Sequence, residues 1–164
     1  MFKPHQHAAP TFAASADAYC VVDVDNLLNT GCGYSRLDIR KFVDAVQTHC
    51  GQHTKILAVA NRMAPAVREI WHRLGAATKV VGTNADPYIV NALYDHAGAS
   101  TLLLASGDAD FEDEIRDFRR RGSVVSIMGR LEAISIRMID AAHYIIPIDN
   151  LITPFPNARS GAFA

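Results

Sequence analysis

The stretch Leu102-Leu-Leu-Ala-Ser-Gly-Asp-Ala-Asp-Phe111 decides the fold. An apolar run of strand length ends at Ser106-Gly107, two aspartates follow one residue apart, and a helical pattern begins at Phe111. Apolar runs are stable when buried, whereas neighbouring carboxylates repel each other and favour water or a cation. A buried strand that ends in two negative charges therefore predicts a functional site at its carboxyl end.

The same pattern occurs earlier, in Tyr19-Cys-Val-Val-Asp-Val-Asp-Asn26. Asp23 interrupts an apolar strand, where an unpaired buried carboxylate is costly. A third aspartate, Asp86, precedes Pro87 at the predicted start of a helix. Three separate segments of the chain thus deliver carboxylates next to regular structure.

Strands and helices alternate along the whole predicted domain. Helical i, i+3, i+4 spacing recurs between the apolar runs, and continuously apolar strands are typical of a parallel sheet covered on both faces. The fold class is therefore α/β, a three-layer α/β/α sandwich with a mainly parallel sheet of five or six strands. The predicted strands cover residues 19–24, 55–60, 78–81, 101–105, 124–128 and, as a short sixth, 144–148. The predicted helices contain the spaced apolar residues Ile39, Phe42, Val43 and Val46; Val67, Ile70, Trp71 and Leu74; Val90, Leu93, Tyr94 and Ala97; Phe111, Ile115 and Phe118; and a last helix over about residues 133–142.

Length and composition predict a single domain. The chain has 164 residues, and we expect a domain over 19–150 between tails at 1–18 and 151–164. A formal net charge of −1 gives no overall attraction for nucleic acid. No apolar stretch is long enough to cross a bilayer and no signal-peptide core precedes the domain. Three scattered cysteines favour reduced thiols, and together these features predict a cytoplasmic protein.

The carboxyl ends of parallel strands share one edge of a sheet, which brings the acidic residues together. Asp23, Asp86, Asp108 and Asp110 are expected there, and carboxylate oxygens in that number suit Mg²⁺ or Mn²⁺ better than zinc. Such clusters are typical of metal-assisted phosphoryl chemistry. The alternative is a set of helix caps, in which Asp110 and Asp86 serve as N-caps of the helices that follow them.

Three blocks of the sequence resemble the signature blocks of the NYN domain family, and the likeness extends over residues 19–148. The blocks are Val21-Val-Asp-Val-Asp-Asn26, Asn84-Ala-Asp-Pro-Tyr-Ile-Val-Asn-Ala-Leu-Tyr-Asp95 and Ala105-Ser-Gly-Asp-Ala-Asp-Phe111. NYN domains, which include LabA- and DUF88-like proteins, are PIN-like, Rossmannoid ribonuclease domains. The resemblance implies that acidic residues bind Mg²⁺ or Mn²⁺ and cut RNA. By position, Asp23 and Asn26 match the first block, Asp86 the second, and Asp108 with Asp110 the third.

Several residues near the acidic cluster are predicted to contact an RNA substrate. Asn26 and Ser106 carry groups that can hold a phosphate oxygen, and Arg62 and Arg130 follow strands at the same edge, where each can bind a backbone phosphate. Tyr34 and Arg36 are weaker candidates for contacts with a base. The arginines between Arg116 and Arg121 are expected on a solvated helix face.

One departure from the family supports other functions. Family members often have a basic residue, as in Lys-Gly, just before the middle aspartate, whereas this chain has Thr83-Asn84. The first alternative is therefore an RNA-binding or regulatory NYN module that cuts poorly, with a homodimer partner left open. The second is a haloacid-dehalogenase-like phosphatase with Asp23 as nucleophile and Asp25 as acid, although Leu27 stands where that family has Thr or Val.

Overall fold

A computed structural model describes residues 17–29 and 35–154, and its elements alternate as the sequence predicts. The strands are β1 (Ala18–Asp23), β2 (Ser35–Leu37), β3 (Lys55–Ala60), β4 (Ala77–Val80), β5 (Thr101–Ala105), β6 (Val124–Gly129), β7 (Tyr144–Pro147) and β8 (Ile152–Pro154). The α-helices are α1 (Val24–Leu28), α2 (Ile39–Cys50), α3 (Pro65–Arg73), α4 (Asp86–Tyr94), α5 (Glu112–Arg120) and α6 (Ile136–Ala141). Short 3₁₀ helices cover Ala109–Phe111, Leu131–Ala133 and Asp149–Leu151.

Six strands form one sheet in the order β4-β3-β1-β5-β6-β7. Every neighbouring pair in it is parallel, which confirms the predicted α/β architecture. β1 lies at the centre, with Val22 opposite both Ala58 of β3 and Ala105 of β5. The carboxyl ends of β1, β3 and β5 therefore lie side by side, as the fold prediction requires.

The sheet separates two hydrophobic cores. Cys20 and Val22 pack on one face with Phe42 of α2 and Trp71 of α3. Tyr19 and Val21 point the other way, because side chains alternate along a strand, and pack with residues of α4, α5 and α6. Both faces of β1 are thus covered by helices, which explains why its sequence is apolar without alternation.

Most helix faces follow the predicted spacing, and two do not. α2 buries Phe42, Val43 and Val46 as expected. In α4 the predicted face is partly wrong. Leu93 is buried and Val90 and Ala97 pack against the core as predicted, and Ile89 and Ala92 are buried beside them. The ring of Tyr94 instead packs at the surface beside Phe118, and its hydroxyl donates to Asp117 at 3.3 Å.

The face predicted for α3 is also partly wrong. Trp71 is buried there, whereas Ile70 is 43% exposed. α3 lies beside β4, an edge strand whose own residues are largely exposed. A helix at the edge of the sheet meets fewer partners, so only a narrow stripe of its surface is covered.

Three short elements were not predicted from the sequence: α1, β2 and β8. β2 and β8 pair antiparallel in a separate two-stranded sheet. Leu151 and Ile152, which the sequence analysis assigned to the C-terminal tail, are buried against the α2 side of the core. Tyr34 and most of the predicted N-terminal tail lie outside the described residues. Within residues 17–29 and 35–154, no helix has the length and apolar character needed to cross a membrane.

Candidate functional site

A polar cleft of about 180 Å³ lies at the carboxyl edge of the sheet. Four carboxylates and four asparagines line it, and no Lys, Arg or His does so among the described residues. Negative charge gathered without a compensating cation favours the binding of a metal ion. The lining residues are Asp23, Asp25, Asn26, Asn29, Asn61, Asn84, Ala85, Asp86 and Asp108.

Asp23 is the buried floor of the cleft and ends the central strand. Its Oδ1 accepts from the backbone N–H of Asn26 at 3.3 Å and its Oδ2 from the hydroxyl of Ser106 at 3.1 Å. Burial raises the pKa of Asp23 from 3.8 to about 6, the charges of Asp86 and Asp25 act in the same direction, and the two hydrogen bonds act against it. The surroundings of Asp23 therefore disfavour its ionised form, which a cation would stabilise.

Asp108 lies on the cleft and Asp110 does not. Asp108 Oδ1 accepts from the N–H of Asp110 at 3.0 Å, so Asp108 caps the 3₁₀ helix that begins at Ala109. The capping role considered for Asp110 is wrong, because Phe111 occupies the N-cap of α5. Asp110 is exposed and is absent from the lining residues. Its role as a metal ligand stays a prediction.

Asp86 presents its carboxylate to the cleft from the first turn of α4. The N-cap of α4 is Ala85, so the capping role considered for Asp86 is also wrong. Instead, Asn84 Oδ1 accepts from the N–H of Asp86 at 3.1 Å. The Thr83-Asn84 step that departs from the family thus holds the first turn of α4 through a neutral amide.

Asp25 and Asn61 are cleft residues that the sequence-based site did not include. Asp25 Oδ2 accepts from the backbone N–H of Asn61 at 2.6 Å, which ties α1 to the carboxyl end of β3. A signal was present for Asn61, because it is the first residue after a strand whose carboxyl end faces the predicted site. The sequence pointed to Asp25 only in the phosphatase alternative, because its contact with Asn61 depends on the unpredicted helix α1.

Asn26 and Ser106 join β1 to β5 beneath the cleft. Asn26 Oδ1 accepts from the N–H of Gly107 at 3.0 Å. Ser106 is fully buried, donates to Asp23 and accepts from the N–H of Asp108 at 3.3 Å. The hydroxyl of Ser106 is thus used within the protein, whereas Asn26 lines the cleft and also carries an amide NH₂.

The arginines divide into buried, paired and exposed groups. Arg130 is nine-tenths buried, donates to the carbonyl of Asn29 and to Glu132, and does not line the cleft. Arg62 is exposed beside Asn61. The helix arginines face the surface, as predicted: Arg116 pairs with Glu112, Arg120 and Arg121 pair with Asp117, and Arg119 donates to carbonyls at the end of α6.

The donor set of the cleft fits a hard divalent cation. Within the part of the chain that the structure describes, no three His, Cys, Asp or Glu side chains lie close enough together to hold an ion by themselves. Mg²⁺ usually takes one or two carboxylates and keeps several waters. Asp23, Asp86 and Asp108 offer the oxygen chemistry for that mode of binding, with room for water between them.

Comparison with known proteins identifies the family. The NYN domain model matches residues 18–149. The chain belongs to the NYN domain family. This NYN domain is also similar to a protein of unknown function from Vibrio parahaemolyticus, with a TM-score of 0.71 at 21% sequence identity over 87% of this chain and 99% of that chain. At that identity the likeness shows the fold alone. No curated protein matches this chain.

Family membership gives this NYN domain a general functional class. It indicates a nuclease-like function of the PIN superfamily, whose members generally use divalent metals, and NYN nuclease domains act on RNA. The fold agrees, because the six-stranded parallel sheet flanked by helices is PIN-like. The acidic cleft lies at the edge of the sheet where a fold of this type places its ligands.

Proposed function

We propose that this NYN domain is a ribonuclease that hydrolyses RNA phosphodiester bonds with Mg²⁺ or Mn²⁺. The observation that carries the proposal is a cleft lined by four carboxylates with no basic side chain among its described residues. Such a cleft repels RNA by itself, so a bound cation both completes the site and attracts a phosphate. Family membership supports the same reaction class.

The carboxylates have separate roles in this proposal. Asp23, Asp86 and Asp108 would hold the ion in part through its bound waters, and Asp110 would join them through water. When bound, the ion supplies an activated water and offsets the charge of the phosphate. Ser106 fixes the orientation of Asp23 by donating to it at 3.1 Å. No covalent intermediate on the protein is required.

Neutral and exposed groups are proposed to position the RNA. Asparagine side chains on the cleft can donate hydrogen bonds to phosphate or ribose oxygens. Because the amide is neutral, it does not compete with the metal ion for the carboxylates. Arg62, exposed next to Asn61 at the end of β3, is placed to contact a backbone phosphate just outside the cleft. We therefore expect RNA affinity to depend on the metal more than on the charge of the protein.

Cleavage of single-stranded RNA with Mn²⁺ tests the proposal. We expect wild-type protein to cleave, chelation to abolish cleavage, and Asp108→Asn to lower kcat at least 100-fold, because removal of one ligand charge weakens the metal site. Asp44→Asn, an exposed aspartate on α2, is the matched control and should cleave like wild type. Equal cleavage by Asp108→Asn and wild type would contradict the assigned site.

A weakly active RNA-binding module is the second candidate, and Asn84 favours it. Thr83-Asn84 stands where the family resemblance implies a basic residue, and Asn84 Oδ1 accepts from the N–H of Asp86. If wild type and Asp108→Asn bind RNA equally and neither cleaves it, this second function is correct and the ribonuclease is not. The phosphatase alternative predicts instead that a small phosphomonoester is hydrolysed and that phosphate is trapped on Asp23.

A further inference from the structure

We propose that Arg130 is a positioning residue that fixes the end of α1 at the cleft and does not contact RNA. The expected effect on RNA cleavage rests on the proposed ribonuclease function. The expected effect on the position of α1 rests on the fold alone. It replaces the phosphate-binding role that the sequence predicts for Arg130.

The contacts of Arg130 are directed into the protein. Its Nη2 donates to the backbone carbonyl of Asn29 at 2.6 Å, across 101 positions of sequence, and its Nη1 donates to Glu132 at 3.1 Å. The side chain is 10% exposed, and its Nε is buried without an acceptor among the described residues. A guanidinium in these surroundings has little surface with which to bind a phosphate.

Asn29 is the point where this contact reaches the cleft. It is the C-cap of α1 and one of the cleft-lining residues. The last carbonyls of a helix have no partner within the helix, and α1 has no basic residue in its last turn. Arg130, directly after β6, therefore supplies a positive charge and a donor to the C-terminal end of α1.

α1 needs such external contacts because it is five residues long, and a helix of that length is unstable by itself. Two of its hydrogen bonds to strand ends come from its own side chains, since Asp25 bonds the N–H of Asn61 and Asn26 bonds the N–H of Gly107. Together with Arg130, they attach α1 to the ends of three strands, β3, β5 and β6. The helix thereby holds one wall of the cleft in place.

Arg130→Lys separates positioning from phosphate binding. A lysine keeps the charge that a phosphate contact needs, but it lacks the fork that reaches Asn29 and Glu132 together. We expect amide hydrogen exchange at residues 24–29 to become at least tenfold faster while exchange in β1 and β5 is unchanged. In RNA cleavage, kcat should fall about tenfold with KM within twofold of wild type.

Two control variants mark the alternatives. Glu132→Gln removes only an exposed partner of Arg130, whose side chain is 79% accessible, and should exchange like wild type. Arg62→Ala removes the proposed phosphate contact, so it should raise KM, reduce the salt dependence of RNA binding and leave exchange in α1 unchanged. Should Arg130→Lys fail to fold, Arg130→Met is measured in its place, because it keeps an unbranched stem of similar packing.

The outcomes distinguish this inference from the proposed function. Unchanged exchange at residues 24–29 in the Arg130 variant overturns the positioning role, whatever the cleavage data show. A raised KM with unchanged kcat overturns it as well and returns Arg130 to phosphate binding. If wild-type protein cleaves no RNA, the proposed function fails, and the exchange experiment still decides the role of Arg130.

Discussion

At the scale of single residues, Asp23 shows how the site conflicts with stability. Its carboxylate is 4% exposed, and the hydrogen bonds from Asn26 and Ser106 do not offset the cost of burying its charge, since its pKa is raised to about 6. Asp86 and Asp25 add repulsion. An ionised carboxylate in such a position is destabilising, and a bound cation would offset that cost.

The raised pKa predicts that Asp23→Asn stabilises the metal-free protein at pH 7.5. The pKa of Asp23 is about 6 in the folded protein and 3.8 as its ordinary value. The protonated carboxyl therefore contributes its full stabilisation below pH 3.8, and this contribution is lost as the pH rises through 6. Each pKa unit corresponds to about 1.4 kcal/mol, and the amide loses part of the hydrogen bonding. We therefore expect a gain of about 1 to 2 kcal/mol in urea unfolding with chelator at pH 7.5, and almost none at pH 4.

Metal should reverse this order. We expect Mn²⁺ to bind the folded wild type and thereby to raise its Tm, whereas Asp23→Asn should show little shift. Asp108→Asn, at a half-buried position, is the control and should gain little stability in chelator. A lower stability of Asp23→Asn than of wild type at pH 7.5 without metal would show that hydrogen bonding outweighs the cost of the charge.

At the scale of secondary-structure elements, β5 ends against the backbone that follows β6. A Cβ placed on Gly107 would lie 2.5 Å from the carbonyl oxygen of Ala133 and 2.9 Å from the Cα of Ile134. The N–H of Ser135 also donates to the carbonyl of Gly107 at 3.0 Å. Glycine in this motif is therefore required by close packing of two backbones.

Gly107→Ala should consequently destabilise the protein by about 2 to 3 kcal/mol, as overpacking against immobile atoms does. We expect reduced RNA cleavage too, because Asn26 bonds the N–H of the same residue. Urea unfolding measures the first effect. Gly98→Ala is the matched control, since its Cβ would meet nothing within 4 Å, and it should change stability by less than about 0.5 kcal/mol. Equal effects of the two substitutions would contradict the packing argument.

The elements differ in how far their sequences predicted them. β1 and β5 could be predicted because buried parallel strands are apolar throughout. α2 could be predicted because its twelve residues are long enough to show the i, i+3, i+4 spacing of an amphipathic helix. α1 has five residues and depends on contacts with strand ends far along the chain, so no local pattern marks it. Tyr94 was wrongly placed on the buried face of α4, because a periodicity count treats it as apolar whereas its hydroxyl bonds Asp117 at the surface.

At the scale of the whole molecule, topology explains why the acidic site could be predicted in outline. Parallel strands with helical crossovers bring Asp23, Asp86 and Asp108 to one edge wherever the loops run. Asn61, and its hydrogen bond to Asp25, entered only with the structure, because that bond joins positions 36 residues apart. The role of Arg130 could not be predicted either, because the sequence does not say whether its side chain is directed into the protein or toward solvent.

Stability of the whole domain should depend on residues 151–154. β8 pairs with β2, the carbonyl of Leu151 accepts from the N–H of Asp38 at the start of α2 at 2.8 Å, and Leu151 and Ile152 are each 8% exposed. Burial of two aliphatic side chains is worth about 1.5 to 3 kcal/mol each before allowance for a compact unfolded state. A chain ending at residue 150 should therefore lose about 3 kcal/mol.

Chains ending at residues 150 and 154 make this comparison direct. The longer one keeps β8 and the bond from Asp38, so the shorter one should unfold at lower urea than the longer one, with a similar m-value. Because β2 pairs with β8 and precedes α2, which covers β1, the loss should also raise the Mn²⁺ concentration needed for RNA cleavage. Equal midpoints for the two chains would mean that the domain ends, in energetic terms, at residue 150.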